Sequence, residues 1–148
     1  MNKGNFLHRE IYGVLLTFSP AAASTLIHFF EDTSTSPEDY DIIYTGDLGY
    51  IGTEALYELC SREGISLRCR HSDCGCIIFD REKQDVHAGG SGCGCSASVL
   101  CSYIMHQFEK GNFKNILFMS TGALMSPTSS FQGESIPGIA HLLNIKAV

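Results

Sequence analysis

Seven cysteines and six histidines are the side chains with the most latent chemistry in this 148-residue chain. Several fall in tight pairs: Cys69-x-His71, Cys74-x-Cys76 and Cys93-x-Cys95, with His87 between the last two. Four thiolate or imidazole ligands would satisfy tetrahedral zinc. Structural zinc knuckles usually place two or more residues between paired ligands, so single-residue spacing argues against a Cys/His metal module. Cys93 and His87 form the one pair tempting for nucleophilic catalysis, which needs a thiol and a base within reach of each other. The plainer alternative is packing, because a free cysteine behaves as a small hydrophobe. An odd cysteine count does not close into disulfides alone. With 44% apolar residues the chain has a core without staples, so reduced thiols are expected.

Glycine loops are the second chemical feature. In Gly89-Gly-Ser-Gly-Cys-Gly94, residues Gly90, Ser91, Gly92, Cys93 and Gly94 could turn backbone amides toward one point. A helix starting just after them would add the positive end of its dipole, suited to a carboxylate or phosphate. No Gly-Lys-Ser/Thr follows, the dinucleotide fingerprint is absent, and there is no Gly-x-Ser-x-Gly elbow. The alternative is a tight start to a closely packed helix. Two further loops, one with Gly46 and Asp47 and one with Gly122 and Ser126, each follow an apolar run. Loops after parallel strands gather at the carboxyl edge of a sheet, where open α/β folds bind ligands.

The elements that would position these loops follow from periodicity. Residues 12–18 read as a buried strand, and Ser19-Pro20 as the cap and first position of a helix carrying Ala22, Leu26, Phe29 and Phe30 on one stripe. Residues 40–45 read as a strand and residues 51–63 as an amphipathic helix closed by Gly64. Residues 76–79 read as another short strand, 95–110 as a third helix closed by Gly111, and 115–120 and 139–145 as the last strands. Strands alternating with helices of this length predict βαβ units. The expected fold is one α/β domain whose mixed, mainly parallel sheet of about five strands carries helices packed on it.

Charge and hydropathy exclude other classes. Ten basic against sixteen acidic residues leave a net charge of −6, which disfavours a nucleic-acid partner. Residues 11–30 lack charge and resemble a signal peptide, but the apolar core is short and Ser19-Pro20 interrupts it. A core strand and helix are therefore expected there, without a transmembrane segment.

Several long motifs, in order, resemble a known family. They are Tyr40-Asp-Ile-Ile-Tyr-Thr-Gly-Asp-Leu-Gly49, Asp73-Cys-Gly75, Phe79-Asp80, Gly89-Gly-Ser-Gly-Cys-Gly-Cys-Ser-Ala97, Thr121-Gly-Ala-Leu-Met-Ser-Pro127, and Gln132-Gly-Glu-Ser-Ile-Pro-Gly-Ile-Ala-His141. Together they look like the stage V sporulation protein AD family, a divergent branch of the thiolase-like fold built from two similar α/β halves. The likeness runs over residues 19–141 and concerns the carboxyl-terminal half only. It divides the chain into a divergent segment, residues 1–18, which could supply a first strand, and a thiolase-like half-domain, residues 19–148.

The resemblance implies a non-catalytic sporulation protein. It implies dipicolinic acid as ligand, a role in its uptake with other spore-uptake proteins, and a peripheral place in the forespore or at the cytoplasmic side of the spore inner membrane. No cofactor or metal is implied. In catalytic thiolase-like enzymes the nucleophilic cysteine lies in the amino-terminal half, and a histidine stands where this chain has Gly46. The expected asparagine falls near Cys93 or Gly94. A shortened gene product or stand-alone half would expose an apolar face, so homodimerisation or association with an amino-terminal half is expected. The alternatives are acyl transfer by Cys93 with His87, and the metal module.

Overall fold

A computed structural model describes residues 3–86, 92–123, 128, 131, 132 and 137–148. It begins with a long helix, α1 (Lys3–Thr33), followed by strand β1 (Ile42–Thr45) and helix α2 (Gly49–Arg62). Strand β2 (His71–Asp73) runs directly into the short helix α3 (Cys74–Ile78). Helix α4 (Cys95–Val99) continues through a π-helical turn (Leu100–Ile104) into α5 (Met105–Glu109), and the chain closes with β3 (Asn115–Ala123) and β4 (Gly138–Lys146).

The strands form a four-stranded sheet in the order β2-β1-β3-β4 among the described residues, against the five or so expected. β1 pairs in parallel with β2 and β3, with Thr45 opposite both Asp73 and Met119. β4 is antiparallel to β3 and places Gly122 opposite Ile139. The fold class is therefore the expected α/β arrangement on a mixed sheet.

Alternation along the central strands divides the core. Ile43, Leu117 and Met119 join Ala22, Leu26 and Phe30 of α1 and Leu56 and Cys60 of α2 on one face. Tyr44, Ile116 and Phe118 join Cys74, Cys95, Val99 and Ile104 on the other. Both faces of β1 and β3 are thus covered, as their continuous apolar runs require. Leu26 and Leu56 are fully buried, and each such side chain stabilises the fold by ~1.5–3 kcal/mol. Gly64 ends α2 with a φ of 77°, the left-handed conformation expected of it.

Three sequence expectations change. The strand expected over residues 12–18 is helix, and α1 runs through Pro20 rather than starting there. Ser19 does not cap a helix; its buried hydroxyl donates to the Gly52 carbonyl at 2.9 Å and ties α1 to α2. Residues 76–79 are not a strand. The strand lies earlier, at β2, because Asp73 starts α3 by accepting a hydrogen bond from the Cys76 amide.

Candidate functional site

The carboxyl ends of β1, β2 and β3 and the start of α4 meet at one edge of the sheet. Gly46 follows Thr45 so closely under β3 that a Cβ there would lie 2.8 Å from the Thr121 amide nitrogen and 3.2 Å from the Ser96 Cβ. Its neighbour Asp47 donates its amide to the Thr121 hydroxyl at 3.1 Å and accepts from the Gly92 amide at 2.7 Å. One loop thereby touches β3 and the segment leading into α4. Gly75 is packed tightly against both aspartates, since a Cβ on it would overlap the Asp47 carboxylate and sit 3.0 Å from Asp73 Oδ2.

Asp73 is the hub of this edge. Its side chain is buried, and all its acceptor directions are used. Oδ1 accepts from the Thr45 hydroxyl at 2.6 Å and the Leu48 amide at 2.9 Å. Oδ2 accepts from the Gly49 amide at 3.0 Å and the Cys76 amide at 3.3 Å. Burial raises its pKa above the ordinary carboxylate value; the Thr45, Leu48 and Gly49 hydrogen bonds oppose that rise, while the nearby Asp47 charge adds to it.

Behind Thr45 stands His71. Its Nε2 lies 3.0 Å from the Thr45 hydroxyl and its Nδ1 3.0 Å from the Tyr57 hydroxyl. The Tyr57 and His71 rings meet edge to face at 5.3 Å, and the Arg68 guanidinium covers the Tyr57 ring at 4.7 Å. Burial lowers the His71 pKa to about 4, so the imidazole is neutral at pH 7.

The expected ligand residues divide in this frame. Gly46, Asp47 and Gly92 are brought together around Thr121 and Ser96. Cys93 and Gly94 are exposed beside them, and Gly122 has open space where a Cβ would stand. His87, Gly90, Ser91 and Ser126 lie outside the described residues, so the Cys93–His87 pair does too. The Gly92 amide, which the sequence offers to an anionic ligand, donates instead to the Asp47 carboxylate, and the amides of Asp47, Leu48 and Gly49 likewise donate to side chains of the protein itself.

Thr45, Tyr57 and Asp73 were not singled out by residue pattern, and His71 only as half of the Cys69-x-His71 pair. Asp73 did carry a signal, as an aspartate ahead of a short Cys-Gly-Cys turn is a helix N-cap. Among the cysteines, Cys60, Cys74 and Cys95 are buried, while Cys69, Cys93 and Cys101 are exposed. Burial pushes the Cys60 thiol up to about 11 and the Cys76 thiol up to about 12, with the Asp73 charge adding at Cys76. Among the described residues, no three His, Cys, Asp or Glu side chains are grouped to hold a metal ion. No helix among them is long and apolar enough to cross a membrane.

The family described as Stage V sporulation protein AD matches residues 13–146. The Bacillus subtilis (strain 168) protein called Stage V sporulation protein AD is 42% identical over 123 residues, which is 83% of this chain and 36% of that relative. The chain thus spans about a third of the length of the curated relative it matches. With the match running from the helix before β1 to the last residue of β4, the chain belongs to the stage V sporulation protein AD family.

Proposed function

We propose that this chain serves sporulation as a non-catalytic, thiolase-like half-domain that binds dipicolinic acid and supports its uptake into the forespore. The observation that carries the non-catalytic part is the packing at Gly46, the position where the thiolase-like enzymes have their histidine. A Cβ there would press on the backbone of β3, so no larger side chain fits without moving that strand. The family membership supports the sporulation role.

The ligand edge in this reading runs from Gly46 and Asp47 past Gly92, Cys93 and Gly94 to Gly122. Gly90, Ser91 and Ser126 complete it in sequence. Other spore-uptake proteins, a second copy, or a chain carrying an amino-terminal half would be the protein partners, at the periphery of the forespore inner membrane. Exposed Ile77, Ile78, Tyr103 and Met105 on the α3 and α4–α5 side support such an association. Calorimetric titration with dipicolinate is the direct test. Saturable heat is expected, and none at millimolar ligand would overturn the ligand-binding reading.

A further inference from the structure

The side chains of Tyr57, His71, Thr45 and Asp73 form one unbroken hydrogen-bond chain from α2 to the ligand edge. Its polarity is fixed at one end. The ionised Asp73 carboxylate only accepts, so Thr45 donates to it; Thr45 then accepts from His71 Nε2–H, and His71 Nδ1 accepts from Tyr57. At the other end the half-buried Tyr57 lines an open surface groove with Ile51, Glu54, Glu58, Arg62 and Arg68.

We propose that this chain is a proton relay by which solvent at the α2 groove sets the protonation of buried Asp73, and through it the hold on the loop that carries Gly46 and Asp47. A proton delivered by water to the Tyr57 oxygen sends the Tyr57 hydrogen to His71 Nδ1. The Nε2 hydrogen passes to Thr45, and the Thr45 hydrogen passes to Asp73. The result is one added proton, a neutral imidazole in its other tautomer, and Asp73 as the carboxylic acid. Every heavy atom keeps its place, and each new hydroxyl or N–H again has an acceptor, with Asp73 now donating to Thr45.

Because Asp73 fills its four acceptor positions when ionised, the acid form holds its partners less tightly. The Leu48 amide shares the protonating oxygen with Thr45 and is released first. Among the described residues, the titratable groups facing the relay are Asp47 from the loop after β1, Cys74 and Cys76 from α3, and Glu54 and Arg68 around Tyr57. Cys95 of α4 faces Cys74 in turn. Among the described residues, none of the groups acting directly on Asp73 is basic. Burial raises the pKa of Asp73 and lowers that of His71, and both directions favour a proton on Asp73 over one on the imidazole.

The test is nitrogen NMR of the His71 ring in the intact chain during acid titration, with carbon NMR of the Asp73 carboxyl followed in parallel. The expected result is a switch from Nε2–H to Nδ1–H, without imidazolium, at the midpoint of Asp73, accompanied by faster hydrogen exchange at the Leu48 amide. Tyr57→Phe leaves Nδ1–H without an acceptor, so this half-exposed variant should keep the Nε2–H form throughout. Thr45→Val should lose the switch and Thr45→Ser restore it. A ring that stays Nε2–H down to acid unfolding, an imidazolium at the Asp73 midpoint, or a switch that survives Tyr57→Phe would overturn the relay. None of these readouts involves dipicolinate.

Discussion

Thr45 donates to Asp73 across the β1–β2 pair at 2.6 Å, and this one hydrogen bond joins the polar chain behind the sheet to the loop in front of it. Asp73 passes the constraint on to Leu48, Gly49 and Cys76. The start of α2, the start of α3 and the end of β1 therefore depend on the same carboxylate. Replacing Asp73 by alanine strands these donors and is expected to destabilise the protein by ~3–5 kcal/mol, measured by urea unfolding, since several buried partners lose their acceptor together.

The pH dependence of stability carries opposite contributions from two neighbours. His71 has a folded pKa of about 4 against an ordinary 6.5, so the unfolded chain binds more protons between those values. Its contribution is present above pH 6.5 and is lost as pH falls, by ~3 kcal/mol in full. Asp73, with a raised pKa, acts in the reverse direction: its contribution is greatest below the ordinary carboxylate range and declines as pH rises through its folded pKa. His71→Gln should remove the loss toward acid that His71 supplies between pH 4 and 7 and leave the opposite slope of Asp73, read by urea unfolding of both proteins across that range.

Gly46 and Gly122 provide a paired test of close packing. Gly46→Ala places a methyl group against the backbone of β3 and is expected to destabilise by ~1–3 kcal/mol. Gly122→Ala enters open space and is expected to change stability by less than about 0.5 kcal/mol in either direction. Thermal unfolding of the two variants distinguishes them.

Asp47 places a carboxylate at the proposed ligand edge, where a dianionic ligand would meet it. Asp47→Asn keeps an oxygen that accepts from Gly92 and removes the charge. A gain of about three- to tenfold in dipicolinate affinity is expected from that removal, read by calorimetry at low salt.

Thiol reactivity should follow burial. Cys69, Cys93 and Cys101 are exposed and should react quickly with an aromatic disulfide reagent in the native protein. Cys60, Cys74 and Cys95 should react only after unfolding, and Cys76 slowly. Rates at Cys93 comparable with those at Cys69 and Cys101 are expected for a non-catalytic protein; a Cys93 rate far above them would indicate an activated nucleophile.

Legibility differed between elements for physical reasons. α2 was readable because its buried positions, Leu56 and Cys60, recur at helical spacing and Gly64 stops it. β1 and β3 were readable because both their faces are buried, which leaves an uninterrupted apolar run. The stretch around Ser19-Pro20 misled, since serine followed by proline is also a favoured way to begin a helix, whereas here Ser19 bonds across to α2. The segment after Asp73 misled because a few apolar residues in a row suit a strand or a helix equally well. The hydrogen bond from Cys76 to Asp73 decided for the helix.

From sequence alone came the α/β class, the loops at the carboxyl edge and the motifs of the family, because each depends on local spacing or on residue identity. The tertiary structure alone decided that Asp73, Thr45, His71 and Tyr57 form one chain, since these residues come from β2, β1 and α2 and meet only through the sheet register. It also decided that the loop amides serve the protein's own side chains. Donor capacity can be counted in a sequence, but what satisfies it is set by which groups folding buries together.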